Sequence, residues 1–190
     1  ALSLAVLLGL PSAAQAEWFS LGTLGGDFSD ARAISADGLT VAGVSSLRPY
    51  PYNVPRAFRW TSAGMEDLGT LGGNFSYAYA ISADGSAVVG ESNTLYGPAQ
   101  AFRWTSAGMQ NLGNLGGTFS AAIGISADGS VVAGNSETGG NYRYHAFRWT
   151  EANGIQDLGT LGDEYSYASA ISADGSTVVG ESLTLINGEY

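Results

Sequence analysis

The sequence contains no cysteine, no lysine, one histidine (His145) and two methionines in 190 residues. The lack of cysteine excludes disulfide staples and thiolate metal sites, so packing alone has to hold the chain together. Without lysine, the seven cations are all arginine and stand against seventeen acids, a net charge of −10. An acidic surface of this kind repels phosphate backbones and anionic lipid, which excludes nucleic acid and membrane surfaces as partners. One histidine cannot furnish a metal site by itself. No serine sits in a Gly-x-Ser-x-Gly elbow, so no nucleophile–base pair is indicated. The expectation is a non-enzyme: no catalytic, cofactor-binding or metal-ligating set, and no cofactor.

Long apolar runs are also scarce, and the chain opens with its main one. Ala1–Ala16 carries no charge, has an apolar core from Leu2 to Leu10, and ends in Ala14-Gln15-Ala16. Small residues at those positions suit a signal peptidase, so residues 1–16 read as a signal peptide lacking its basic start, cleaved after Ala16. The run is too short to cross a bilayer of about 30 Å as a helix. No later stretch is apolar enough to span a membrane. The mature chain is expected to be secreted, periplasmic or displayed at a cell surface.

What the sequence has in abundance is repetition. Leu-Gly-(Thr/Asn)-Leu-Gly begins at Leu21, Leu68, Leu112 and Leu158, and Ile-Ser-Ala-Asp-Gly at Ile34, Ile81, Ile125 and Ile171, both spaced by 47, 44 and 46 residues. Ala-Phe-Arg-Trp-Thr begins at Ala57, Ala101 and Ala146. A period of this size marks a module copied along the chain. Within the module the pattern is that of strands. Two apolar runs flank Asp-Gly, the signal for a tight hairpin. Ala-Phe-Arg-Trp-Thr alternates with period two. No stretch has a helical period. Four short strands follow as a meander: A (Tyr-Ala-Ile-Ser), B (Ser-Ala-Val-Val-Gly-Glu-Ser), C (Ala-Phe-Arg-Trp-Thr) and D (Met-Glu-Asp-Leu-Gly-Thr-Leu).

Four antiparallel strands in about 45 residues make one blade of a β-propeller. The predicted fold is all-β, a propeller-like array of four-stranded blades over residues 17–190. Its repeats lie near 27–73, 74–117, 118–163 and 164–190, the last one incomplete. A β-solenoid, the competing arrangement, accommodates a hairpin meander poorly. The residues 17–26 are expected to be a lone D strand, and the whole about three and a half blades of a longer array.

These phrases resemble the HAF repeat of bacterial extracellular proteins, named for a His-Ala-Phe tripeptide that stands here once, at His145-Ala146-Phe147. The other copies read Arg56-Ala57-Phe58 and Gln100-Ala101-Phe102. The resemblance runs from Glu17 to Tyr190. It implies an exported propeller-type protein, in some members an autotransporter passenger ahead of a barrel, and implies no activity.

The copies serve as their own comparison: what recurs holds the blade, and what varies is free for a site. Asp37, Asp84, Asp128 and Asp174 recur after Ser-Ala and read as turn residues rather than calcium ligands. Trp60, Trp104 and Trp149 read as structural. Arg59, Arg103 and Arg148 read as structural as well, with Asp67 and Asp157 of strand D as expected partners. The pairs Gly25-Gly26, Gly72-Gly73 and Gly116-Gly117 are expected to permit the tight path from strand D to the next strand A. The connections between strands B and C share neither length nor sequence, and they carry Tyr50, Tyr52, Tyr96, Tyr142 and Tyr144, next to His145. Variable loops on a constant scaffold are where binding usually sits. Tyrosine offers rigid contact area plus a hydroxyl, suited to a protein or carbohydrate ligand. Against this binding module stand two alternatives: a polysaccharide-acting enzyme with its acids elsewhere, and a structural spacer. Oligomeric state is left open.

Overall fold

The structure, a computed structural model, describes residues 19–140, 143–162 and 164–184. The expected signal peptide lies outside them. The described residues form strands and no helix, in three four-stranded meanders followed by one hairpin. The first blade is β1 (Ser29–Ile34), β2 (Val41–Ser46), β3 (Pro55–Thr61) and β4 (Gly64–Asp67). The second is β5 (Gly72–Ile81), β6 (Val88–Thr94), β7 (Ala99–Thr105) and β8 (Gly108–Gly113). The third is β9 (Gly116–Ile125), β10 (Val131–Thr138), β11 (Tyr144–Thr150) and β12 (Gly154–Asp157). A hairpin of β13 (Ser166–Ile171) and β14 (Val178–Ser182) completes the order. Strands A to D therefore fall where the repeat puts them.

The recurring phrases explain the packing. Strand B is largely buried in each of the three four-stranded blades, and its glycine lies opposite the strand C phenylalanine: Gly43 with Phe58, Gly90 with Phe102, Gly134 with Phe147. A Cβ on Gly134 would fall 2.6 Å from the Phe147 ring, and one on Gly43 would fall 2.9 Å from Phe58. Only glycine leaves room for the ring. All three phenylalanines are fully buried. The cores of the second and third lie between blades, whereas Phe58 packs with Val41 of its own blade and Leu21 of the leading link: Phe102 and Trp104 join Ala42, Ala57 and Leu68 of the first blade. In the same way Phe147 and Trp149 join Val89, Ala101 and Leu112 of the second. Burial of one such ring contributes about 1.5–3 kcal/mol, and that contribution exists only when the preceding blade is in place.

Polar latches repeat across the same seams. The Arg59 and Arg103 Nε atoms donate to the Gly85 and Gly129 carbonyls of the next blade at 2.8 Å, and Arg148 reaches the Gly175 carbonyl at 3.4 Å. The Ala36 amide donates to the Ala83 carbonyl, Ala83 to Ala127, and Ala127 to Ala173. The Ala57, Ala101 and Ala146 amides of strand C donate to the hydroxyls of Ser76, Ser120 and Ser166 on the next strand A, at 2.8–3.0 Å.

Three expectations change here. The strand C arginines do not take Asp67 and Asp157 as partners, because their side chains reach across to the next blade. Those two carboxylates instead accept from the main-chain N–H of Gly69 and Gly159, and the amide oxygen of Asn111 does the same for Gly113, which is why asparagine serves in the middle copy. The Leu-Gly-Thr-Leu-Gly phrase is largely a link rather than a strand. Phe19–Gly26 pairs with no strand, and its Leu24 amide is bound by the Ser45 hydroxyl. In the Asp-Gly hairpin the turn centres on Ala36-Asp37, with the Gly38 amide donating to the Ser35 carbonyl.

Gly25-Gly26 lies on that link, whereas Gly72-Gly73 and Gly116-Gly117 open the strand A that follows it. Gly25, Gly72 and Gly116 have φ of +112°, +102° and +96°. A Cβ on Gly26, Gly73 or Gly117 would strike Ser46, Asn93 or Glu137 at the end of the same blade's strand B. In the fourth copy Gly162 keeps its positive φ.

Arg103→Met keeps the packed stem and removes the donor from the Gly129 carbonyl. It is expected to cost about 1–3 kcal/mol in urea unfolding, the range for an orphaned buried acceptor, whereas Arg48→Met in a loop is expected to stay within about 0.5 kcal/mol.

Candidate functional site

The B–C loops and the D–A links meet on one rim, tied by hydrogen bonds from the end of each strand B. Ser46, Asn93 and Glu137 occupy equivalent places and do one job with three chemistries. The Ser46 hydroxyl accepts from the Asp27 amide at 3.1 Å, Asn93 Oδ1 from the Phe75 amide at 2.8 Å, and Glu137 Oε2 from the Thr118 amide and hydroxyl at 2.8 and 2.6 Å. The two Thr118 bonds hold the Glu137 carboxyl below its ordinary range. Asp27, accepting from the Tyr50 amide at 3.0 Å, is lowered as well, chiefly by that bond. The loop bearing Tyr50 and Tyr52 is thus anchored, while the two rings are 79% and 73% exposed. Tyr96 is 95% exposed, beside exposed Leu95. A shallow groove of about 200 Å³ runs between Asn53, Val54 and Pro55 of the first blade and Asn74 and Phe75 of the second.

The remaining rim candidates differ. Tyr142 lies outside the described residues. Tyr144 opens β11 instead of lying in a loop, and its ring stacks on Tyr167 and meets Phe119 edge-on, both at 6.0 Å between centroids. His145, also in β11, places Nδ1 2.8 Å from Asp157 Oδ2. Its counterparts make similar local bonds: Gln100 to the Thr118 carbonyl and Asn114, and Arg56 at 3.8 Å from Asp67. The position before Ala-Phe is therefore polar in each copy, facing an acid of the blade's own outer strand at Arg56 and His145 and tied to the following link and strand A at Gln100.

The four turn aspartates are engaged locally. Asp37, Asp84, Asp128 and Asp174 each accept from the serine two residues before, at 2.5–2.6 Å, and from the amide two residues after, at 2.9–3.0 Å. Those hydroxyl bonds are the main reason that Asp84, Asp128 and Asp174 are lowered to about 2. Trp104 and Trp149 are buried, and Trp60 is half-buried against Phe19.

A second cluster escaped the sequence reading. Each strand A carries an irregularity, and the residue there changes from copy to copy: Arg32, Tyr79 and Ser169 between two alanines in β1, β5 and β13, and Ile123 between Ala122 and Gly124 in β9. Arg32 lies over the Tyr79 ring at 5.2 Å and the Tyr77 ring at 5.6 Å, with its Nε donating to Asp30 at 3.1 Å. Tyr79 in turn interacts with Glu91 of β6. Burial raises the Glu91 carboxyl above its ordinary range, opposed by the Tyr79 hydroxyl and Arg32, and burial together with Glu91 raises Tyr79. The only hint in the sequence is that a non-repeating position interrupts an otherwise constant strand.

No family model and no curated protein matches this chain. Among solved structures it is similar to TolB from Acinetobacter baumannii, at 22% identity and a TM-score of 0.55, over 77% of this chain and 35% of that one. It is also similar to a TolB candidate from Agrobacterium tumefaciens, at 16% identity and a TM-score of 0.52, over 70% of this chain and 50% of that one. The chain thus spans half or less of the length of either. With blades already defined by strand order, this likeness establishes the fold: a β-propeller-like array of four-stranded antiparallel blades.

Two opposed pH responses follow. The turn aspartates have lowered values when folded, so their stabilisation is present above about pH 4 and is lost as pH falls toward 2. Ser82→Ala, which removes a donor to Asp84, is expected to flatten the acid side of the urea-midpoint curve. Glu91 has the opposite sign: its raised value favours the neutral form, so stability declines as pH rises through its titration. Glu91→Gln is expected to raise the urea midpoint at pH 7, with the difference vanishing below about pH 4.

Proposed function

We propose that this chain is part of an exported bacterial repeat scaffold of the HAF-repeat kind, acting as a binding module for a protein or carbohydrate ligand through its B–C rim. One observation carries the reading. Tyr50, Tyr52 and Tyr96 project their rings to solvent from the segments that the repeat leaves free to vary, while the same loops are anchored at their bases. Exposed aromatic rings on rigid supports are an efficient binding surface, since little side-chain freedom is lost on contact. The charge-free N-terminal segment, which ends in Ala14-Gln15-Ala16, supports a secreted, periplasmic or surface-displayed location. A net charge of −10 favours neutral or cationic ligands over anionic ones. The non-enzymatic reading is supported by where the titratable groups of the repeat are spent, on turn and link hydrogen bonds.

The test is retention on a panel of neutral polysaccharides and surface proteins. The triple variant Tyr50→Ser, Tyr52→Ser, Tyr96→Ser is expected to lose about tenfold or more of its affinity for whichever ligand the parent retains. Its unfolding free energy is expected to stay within about 0.5 kcal/mol per site, as for exposed positions. Full retention by the variant would favour the spacer role.

A further inference from the structure

The first two seams differ where they reach the rim. Between the second and third blades the place is filled. The Gln100 side chain donates to the Thr118 carbonyl at 2.6 Å and accepts from Asn114 at 2.9 Å, and both Ala99 and Gln100 are buried. Between the first and second blades the counterpart of Gln100 is Arg56, which lies 3.8 Å from Asp67 of its own blade instead. That seam stays open as the groove of about 200 Å³, with Asn53, Val54 and Pro55 on one side and Asn74 and Phe75 on the other.

Both walls are held by the protein's own bonds. The Leu47 amide donates to the Val54 carbonyl at 3.0 Å and closes the loop that carries Asn53. Opposite, Asn93 Oδ1 accepts from the Phe75 amide and Asn93 Nδ2 donates to Asn74 Oδ1, both at 2.8 Å. These bonds leave Asn74 Nδ2 free, and the Asn53 side chain makes no hydrogen bond among the described residues. Side-chain amides both donate and accept, and here they stand beside apolar Val54, Pro55 and Phe75. No ionisable side chain lines the groove. Hydroxyls carried on an apolar ring match such a lining, whereas a phosphate, carboxylate or ammonium group would enter without a counter-charge. The volume is below the roughly 300–1,000 Å³ of sites that enclose a whole small ligand. It suits one residue of a longer chain that continues toward the exposed Tyr52, next to Asn53 in sequence.

We propose that the groove between the first and second blades binds one sugar residue of a neutral polysaccharide. Asn53 and Asn74 take its hydroxyls, and Val54, Pro55 and Phe75 its apolar face. The inference rests on the rim-binding reading and narrows its ligand to carbohydrate.

The experiment is affinity electrophoresis of the 190-residue chain in native gels cast with laminarin, galactomannan or dextran, all neutral, and with alginate as the anionic comparison. Retardation is expected from at least one neutral polymer and not from alginate. Asn53→Ala is expected to weaken that binding about three- to tenfold, as for one lost hydrogen bond, with an unchanged urea midpoint. No retardation by any of the three, equal retardation by alginate, or full retardation of Asn53→Ala would each overturn the proposal. Retention of a surface protein through Tyr50, Tyr52 and Tyr96, with no polysaccharide bound, would keep the rim reading and sink this one. Polysaccharide binding that is weakened by Asn53→Ala and untouched by the triple tyrosine variant would do the reverse.

Discussion

A phenylalanine lying over a glycine, in a core completed by the blade or link that precedes it, is the contact from which the rest of this architecture follows. Phe58, Phe102 and Phe147 take the same place in successive copies, and the strand B glycine beneath each cannot carry a side chain. Because Ala42, Ala57 and Leu68 of one blade close the core around Phe102 of the next, no blade is finished alone. Stability is then a property of neighbours, as in other stacked repeats. This also accounts for a chain without disulfides, in which the apolar seam takes on the role that covalent staples have in many exported proteins.

The polar groups follow the same rule. Serine hydroxyls, arginine guanidinium groups and alanine amides meet main-chain or hydroxyl partners across each seam, so the buried backbone ends of one blade are satisfied by the next. Small polar side chains suit this task because they reach the backbone without holding neighbouring sheets apart. The seams therefore carry direction as well as adhesion: arginine always points from strand C to the following turn.

Much of the fold was legible because each role in the blade is filled by one residue type at a fixed spacing. The period and the four strands could be read that way. The arginine partners could not, since the acceptor is a main-chain carbonyl in the next copy and leaves no mark in residue identity. The Leu-Gly-Thr-Leu-Gly link was hidden for a related reason: its leucines look like a strand, while its hydrogen bonds go to serines rather than to a ladder. At the rim, composition pointed to the exposed tyrosines, but the stacking of Tyr144 on Tyr167 depends on blade-to-blade placement. The Arg32–Tyr79–Glu91 cluster depends on strand irregularities that no local pattern announces.

The central claim is that the apolar seams bind the blades into one cooperative unit. Native-state hydrogen exchange on Phe102→Ala tests it most directly, because the ring lies between the first and second blades. The account predicts a loss of about 3–5 kcal/mol, the usual cost of truncating a buried phenylalanine, felt together by the amides of β2 and β6. A loss below about 1 kcal/mol, or faster exchange in β6 with β2 unchanged, would contradict it.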